Sequence, residues 1–484
     1  MASFLDRHNV VDATAPDVAA AHELDLVSKR DSTEWAAYTE SVERIKRDYR
    51  QIPEGAPIRL AKRTSNLFRP RAKAKAGLST DGFDGVIGID AQARRADFGG
   101  MTTYERAVDL LLPFNLMPLV VPELKTITLG GAITGLGIES SSWRNGMPHE
   151  SLIEMDVLTG AGEVVTARPD NDHRDLFYGF PNSYGTLGYA LRVQIELEYV
   201  MPYVHLRHLR FGDFGTLISA IGQICESSEY QEERVDFVDG TVFSPAECYL
   251  TLGAWTGSAP HTSDYTKKGV YYRSVQSNRE DWLTARDYLW RWDTDWFWCS
   301  RAFGVQRKWV RRAVPRRFLR SDVYWKIVAF EERYHLKAGA DRLLGHPAHE
   351  NVIQDVELPI NRLAEFLEEL VREVPVSPLW LCPLRVRDRS ATWDLYRLDP
   401  DVLYVNVGFW TSVPLKEGTG PTHHNRWVEE EVDRLGGRKS LYSTAFYDED
   451  RFWSLYNGEA YGKLKGQYDP ERRLTDLYDK CVGR

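Results

Sequence analysis

Apolar and polar positions follow a helical rhythm in some stretches of this chain and a strict alternation in others. Residues 18–50 are rich in helix formers and stop short of Pro53, which predicts one helix or two as an N-terminal extension. Residues 57–62 read as a short strand, and 86–90 with 94–98 as a hairpin. Residues 101–116 carry the stripe Ala107, Leu110, Leu111 and Phe114, the spacing of an amphipathic helix with Thr102 or Thr103 as its N-cap. A second hairpin spans 151–167 and turns at 160–162. Residues 190–199 alternate as a half-buried strand does.

Beyond about residue 205 the character changes. Residues 210–227 read as a helix and 234–255 as strands; 351–374 read as a strand running into a helix, and 377–387 as a buried strand. The pattern predicts an α+β protein in four parts. Residues 1–56 form the helical extension, and 57–205 a mixed strand–helix unit with ligand-binding turns. Residues 206–440 form a second α+β unit, and 441–484 a return to the first. There is no internal repeat and no low-complexity linker.

Composition narrows the function. A chain of 484 residues is long for a single core. Its net charge of −9 argues against a nucleic-acid binder. No apolar run reaches the roughly 18 residues of a membrane-spanning helix, and residues 1–17 lack the apolar centre of a signal peptide. The expectation is a cytoplasmic protein. Cys225, Cys248, Cys299, Cys382 and Cys481 are scattered with no CxxC pair, so neither a disulfide framework nor a metal site is indicated.

The most informative stretch is 122–146, PELKTITLGGAITGLGIESSSWRNG. It holds Thr128, Gly130, Gly131, Gly135, Gly137, Ser140, Ser141 and Gly146. Glycine in a regular element costs about 0.5–1 kcal/mol, so this density argues for main chain that bends and lets a ligand come close. Successive N–H groups in such a turn form a nest for an anion, and the hydroxyls add donors. No lysine follows in a Walker arrangement, and the Rossmann glycine fingerprint is absent. A plain surface turn is the structural alternative. A second small-residue turn, with Ser183, Gly185, Thr186 and Gly188, leads into the 190–199 strand. Arg63, Thr64, Ser65 and Asn66 form a third polar turn, as readily an ordinary loop as a phosphate contact.

Residues 286–326 interleave Trp290, Trp292, Trp296, Trp298, Trp309 and Trp325 with arginines. That composition suits a membrane surface, and equally a tryptophan core with a solvated basic face. Single-stranded nucleic acid is disfavoured by the acidic whole.

An extended lead (VVPEL), then Gly-Gly, Gly-x-Gly and a serine run closed by Gly146 resemble the pyrophosphate loop of the vanillyl-alcohol-oxidase-type (PCMH-type) FAD-binding fold. Within that fold GLGIESSS, NSYGTLG, VIQDVELPI, SPLWLCP and the 452–464 segment resemble the Diminuto-like delta-24-sterol reductase family. The resemblance implies an FAD-binding domain with an α+β substrate domain, FAD and NADPH as cofactors, and reduction of a carbon–carbon double bond in a lipid. It departs from the sterol reductases at KRTSNLFRPR and in having no N-terminal membrane helix. The chain looks most similar to actinobacterial reductases that turn a 10-methylene into a 10-methyl (tuberculostearic) acyl chain on phospholipid. That likeness brings peripheral contact with the inner membrane face and leaves room for a partner methyltransferase. A delta-24-sterol-type reductase, or a flavin oxidase or dehydrogenase of an alcohol or sugar, is the alternative. An unactivated alkene needs a proton donor, and a carboxyl in an apolar pocket suits the task because burial raises its pKa. Asp355 and Glu357 are the candidates, with Tyr447 behind them.

The polar turn at 63–66 has no His, and the opening stretch has no Cys. These are the usual anchors for covalent flavin in that fold, so the cofactor is expected to be non-covalent. Acid precipitation should leave the yellow colour in the supernatant; a yellow pellet would contradict this.

Overall fold

The computed structural model describes residues 32–62, 77–266, 269–326, 349–415 and 418–482. The expected helix over 18–31 and the polar turn of Arg63, Thr64, Ser65 and Asn66 lie outside these residues. The N-terminal helix, Thr33–Arg50, starts where the Ser32 hydroxyl accepts the Trp35 amide. It buries Tyr38, Ser41, Ile45 and Tyr49, one face at three- and four-residue spacing. Two phenols fasten it to the sheet behind: Tyr38 donates to Asp156 at 2.7 Å and Tyr49 to the Gly160 carbonyl at 2.6 Å. The strand expected at 57–62 is reduced to one parallel bridge, Leu60 with Leu78.

The first sheet contains β1 (Val86–Asp90), β2 (Arg95–Gly99), β3 (Leu116–Pro118), β4 (Leu152–Thr159), β5 (Val164–Ala167) and β6 (Gly188–Tyr199). Its order is β1-β2-β6-β4-β5, with β3 pairing the end of β6, and every pairing is antiparallel. Both expected hairpins are present. Arg192 on the central strand is buried and pairs with Asp97, Glu154 and Asp156 from the strands beside it. The helix Tyr104–Leu111 follows β2, with Thr103 as its side-chain cap.

The second sheet begins with β7 (Tyr203–Phe211). A two-stranded ribbon, β8 (Glu229–Tyr230) and β9 (Glu233–Arg234), stands apart. Then come β10 (Phe237–Ser244), β11 (Glu247–Thr256), β12 (Glu280–Thr284), β13 (His349–Pro359), β14 (Leu379–Leu384), β15 (Tyr404–Pro414) and β16 (Arg438–Lys439). The eight strands run in the order β12-β7-β11-β10-β14-β15-β13-β16. Alternation sorts their side chains. Val352, Val356, Leu358, Leu379 and Leu381 join a core with the helices Phe214–Ser227, Leu363–Glu373 and His423–Arg434. Trp380, Cys382 and Leu384 join the other core, which they share with the first sheet and the tryptophan-rich segment. The architecture is α+β, as the pattern predicts.

The glycine stretch differs from the expected free loop. Leu129–Gly135 is a short helix with Thr128 as N-cap. Gly130 serves close packing: its amide donates to the Gly100 carbonyl at 2.9 Å, and a Cβ there would lie 2.7 Å from that same oxygen. The obstacle is main chain and cannot swing away. Gly130→Ala should therefore cost about 1–3 kcal/mol, read as a lower urea midpoint with unchanged slope.

Candidate functional site

The helix at 129–135 has its early amides occupied. Leu129 N donates to Thr102 O, Gly130 N to Gly100 O, and Gly131 N to the Thr128 hydroxyl at 3.1 Å. The residues of the stretch that keep part of their surface exposed are 126–128, Gly131 and 136–138. Leu136 sits between Gly135 and Gly137 at φ +78°, a conformation non-glycine residues seldom hold without cause. Ser140 and Ser141 have essentially no exposed surface, and their hydroxyls have protein partners. Ser140 shares a 2.7 Å hydrogen bond with Tyr288 and also reaches Glu139; Ser141 donates to Leu119 O at 3.0 Å. Gly146, at φ +71°, leaves room for the Glu150 carboxylate that caps the next turn.

The second turn packs on the end of this helix. Tyr184 N donates to Thr134 O, and the Tyr184 ring lies where a Cβ on Gly135 would point. Asn182, Tyr184, Gly185 and Gly188 all have positive φ. Thr186 spends its hydroxyl on Ser183 O, and Gly188 lets β6 close on β4. The Asn182 side-chain carbonyl and the Ser183 hydroxyl are buried without a hydrogen-bond partner. The C-terminal segment braces the turn: Lys465 donates to Thr186 O at 2.8 Å and Lys480 to Tyr184 O at 2.6 Å.

Asp355 and Glu357 point from β13 to the face shared with the first sheet. Asp355 stands opposite Gly408 of β15, and Gly408 opposite Trp380 of β14. A Cβ on Gly408 would collide with the Asp355 carboxylate and come within 3.3 Å of Trp380, so the glycine opens the gap between acid and indole. Burial raises the Asp355 carboxyl to about 7, opposed by hydrogen bonds from Asn406 and Tyr442. Glu357 has no exposed surface and is held by Tyr396 and Ser440; burial raises it to about 8. Asp355 keeps some exposure and is the accessible acid of the two.

Tyr184 of the second turn lies close enough to raise the Tyr442 phenol further, beyond what burial and Asp355 do. The structure thus brings the second turn and Asp355 together through Tyr442. Tyr447 lies elsewhere: its phenol is raised by burial and by Glu429 and Asp433, and its ring packs on Tyr456. Sequence reasoning missed Tyr442, Asn406, Gly408 and Trp410. Asn406 had a signal, a lone amide inside the apolar run YVNVGFW.

The tryptophan-rich stretch divides in two. Trp290, Trp292, Trp296 and Trp298 are core. Among them Arg291 is wholly buried, with Glu123 at 3.0 Å, Glu139 at 3.1 Å and Asp239 at 3.3 Å, and its guanidinium lies 4.1 Å above the Tyr288 ring. Trp292 and Trp380 both donate to Asp239 at 3.2 Å. Burial pushes the Glu123 and Asp239 carboxyls up, more strongly for Glu123 beside Glu139. This cluster locks the glycine stretch to the second sheet.

Two turns with positive-φ main chain and two buried oxygens that lack a hydrogen-bond partner are donor and acceptor chemistry that fits a polar ligand. Residues 36–168 match the family of FAD binding domains. The protein is therefore an FAD-binding oxidoreductase with a PCMH-type domain. Beyond that domain it is similar to the Delta(24)-sterol reductase of Arabidopsis thaliana, 26% identical over 438 residues, 82% of this chain and 75% of that one. The Homo sapiens Delta(24)-sterol reductase is 24% identical over 411 residues, with the same shares covered. Cytokinin dehydrogenase 7 of Oryza sativa subsp. japonica is 29% identical over 159 residues, a third of this chain and 30% of its own.

Removing Arg291 strands three carboxyls in the core. Arg291→Met should cost about 3–5 kcal/mol near neutral pH. The deficit should shrink at pH 5, where protonation neutralises the raised carboxyls; denaturant titrations at the two pH values check this.

Proposed function

We propose that the protein reduces a carbon–carbon double bond in a lipid, with NADPH as the electron source and Asp355 as the proton donor. A 10-methylene acyl chain on phospholipid is the proposed substrate, reduced to the 10-methyl chain. The carrying observation is a carboxyl on β13, raised by burial and joined through Tyr442 to the 182–188 turn of the flavin-binding unit. Similarity to Delta(24)-sterol reductases over four-fifths of the chain supports the lipid reading. The glycine gap beside Trp380 supports a substrate that presents an edge to the acid.

A flavin held at this site would supply hydride chemistry, with NADPH as the reductant that provides the two electrons. The chain supplies the rest. The Ser183 hydroxyl and the Asn182 side-chain carbonyl offer polar contacts, beside the part-exposed residues 126–128 and Gly131. Thr128 holds the helix end that carries Gly131. The Asp355 carboxyl gives its proton to the second alkene carbon. The resulting carboxylate accepts from Asn406 at 3.3 Å and from Tyr442, and water returns the proton. Trp380, Phe297 and Trp410 pack edge-on as an apolar wall around the gap. That wall disfavours charge and holds the acid protonated.

A folded pKa of about 7 lies above the ordinary carboxylate value, so the proton is present below about 7 and lost above it. Turnover should fall with pH above about 7, and the same ionisation should lower stability as pH rises to that point. Asp355→Asn should lose at least about 100-fold in kcat while binding flavin normally. Full turnover in that variant would remove Asp355 as donor. Anaerobic NADPH should bleach the flavin, and cells lacking the gene should accumulate methylene-branched acyl chains. Bleaching by an alcohol alone, with unchanged lipids, would overturn the reading in favour of an alcohol dehydrogenase.

A further inference from the structure

The second half of the tryptophan-rich stretch behaves unlike the first. From 296 to 320 the chain contains no Asp or Glu, within a protein of net charge −9. Arg311 is buried on Asp295, and Arg320 pairs with Glu105. That leaves Arg301, Arg307, Lys308, Arg312, Arg316 and Arg317, all exposed. Of these six, only Arg316 has a carboxylate within reach among the described residues, Asp264 at 3.6 Å. Several exposed arginines elsewhere are paired, Arg106 with Asp84, Arg387 with Glu196 and Arg434 with Glu365 and Glu431, and those that are not, such as Arg94 and Arg279, are not gathered into a run like 301–317.

The same patch exposes apolar rings. Trp309 is 71% exposed and Phe318 43% exposed, two of the four large apolar side chains exposed among the described residues. Trp309 lies on the short helix Lys308–Ala313, with Lys308 before it and Arg312 one turn on. Unpaired cations around bare aromatic rings complement a surface that is anionic at its face and apolar just beneath. Among the described residues no helix is long and apolar enough to cross a membrane, so the contact would be interfacial.

We propose that residues 301–318 dock the protein on an anionic lipid bilayer. Just before them, Trp298 donates to Trp410 O at 2.8 Å, and the Trp410 indole donates to Tyr442 at 2.8 Å. Tyr442 in turn hydrogen-bonds Asp355. The patch thus stands at the outer end of an aromatic file that ends at the acid. This last link rests on the proposed lipid substrate; the docking does not.

The test is sedimentation of full-length, flavin-loaded protein with vesicles of phosphatidylcholine alone and of phosphatidylcholine mixed equally with phosphatidylglycerol. Binding is expected only to the mixed vesicles, and it should weaken as salt is raised. Arg312→Gln, Arg316→Gln and Arg317→Gln together should lower the partition coefficient on the order of 100-fold. Trp309→Ala with Phe318→Ala should lower it independently. Arg434→Gln, a paired surface arginine on the helix His423–Arg434 that packs against the other core of the second sheet, should bind as the unaltered protein does. Flavin content and far-ultraviolet circular dichroism verify that each variant is folded. Failure to bind mixed vesicles, equal binding to both vesicle types, or full binding by the triple variant would overturn the proposal. Tighter binding of a single-stranded oligonucleotide than of mixed vesicles at the same salt would overturn it in favour of nucleic acid. None of these readouts depends on turnover, so the docking surface and the enzymatic reading stand or fall separately.

Discussion

One guanidinium in the dark holds the two halves of this protein together. Arg291 comes from the tryptophan-rich segment, Glu123 and Glu139 from either side of the glycine stretch, and Asp239 from the second sheet. Taking such charges out of water is costly, and only dense hydrogen bonding offsets the cost. Tyr288, Ser140, Trp292 and Trp380 provide part of it, while both Glu123 oxygens are left with the ion pair alone. The geometry of the glycine stretch therefore depends on residues over a hundred positions away. Arg192 plays a similar part inside the first sheet, drawing three carboxylates and the N-terminal helix onto one strand.

On this frame the candidate site is assembled from both units. The first contributes the turn at 182–188 and the part-exposed residues around Gly131. The second contributes a row across three strands, Trp380, Gly408 and Asp355, with the glycine as the opening. The pairing of an accessible acid with an enclosed one follows from alternation: residues 355 and 357 share a face, but Glu357 lies under Tyr396 and Ser440 while Asp355 borders the gap.

Local patterns carried much of the fold. Both hairpins, the Thr103-capped helix, the 214–227 helix and the long strand into 363–373 follow from periodicity and cap residues that act over a few positions. The glycine stretch marked a region by its composition but hid its mechanics. Gly130 is small for the sake of the Gly100 carbonyl, and Ser140 and Ser141 hold the protein rather than face an opening. Those partners are distant in sequence, so spacing could not reveal them. Asp355 and Glu357 were legible as carboxyls inside an apolar strand. Tyr442 was not, because the path after β16 decides which tyrosine turns toward Asp355, and no periodicity marks that path. The tryptophans read as one block because their sorting into core and surface depends on Asp239 and Asp295, which the segment's own rhythm does not disclose.

Lys465 and Lys480 give the candidate cofactor site an order of construction. Their ammonium groups clasp the carbonyls of Thr186 and Tyr184, nearly three hundred positions upstream. During synthesis the turn leaves the ribosome long before the lysines that fasten it. A nascent chain can complete most of both sheets and still lack a finished cradle. The bracing of that turn is therefore a late addition to a fold whose two sheets are already in place, and a fragment without Lys480 would leave the Tyr184 carbonyl without that ammonium.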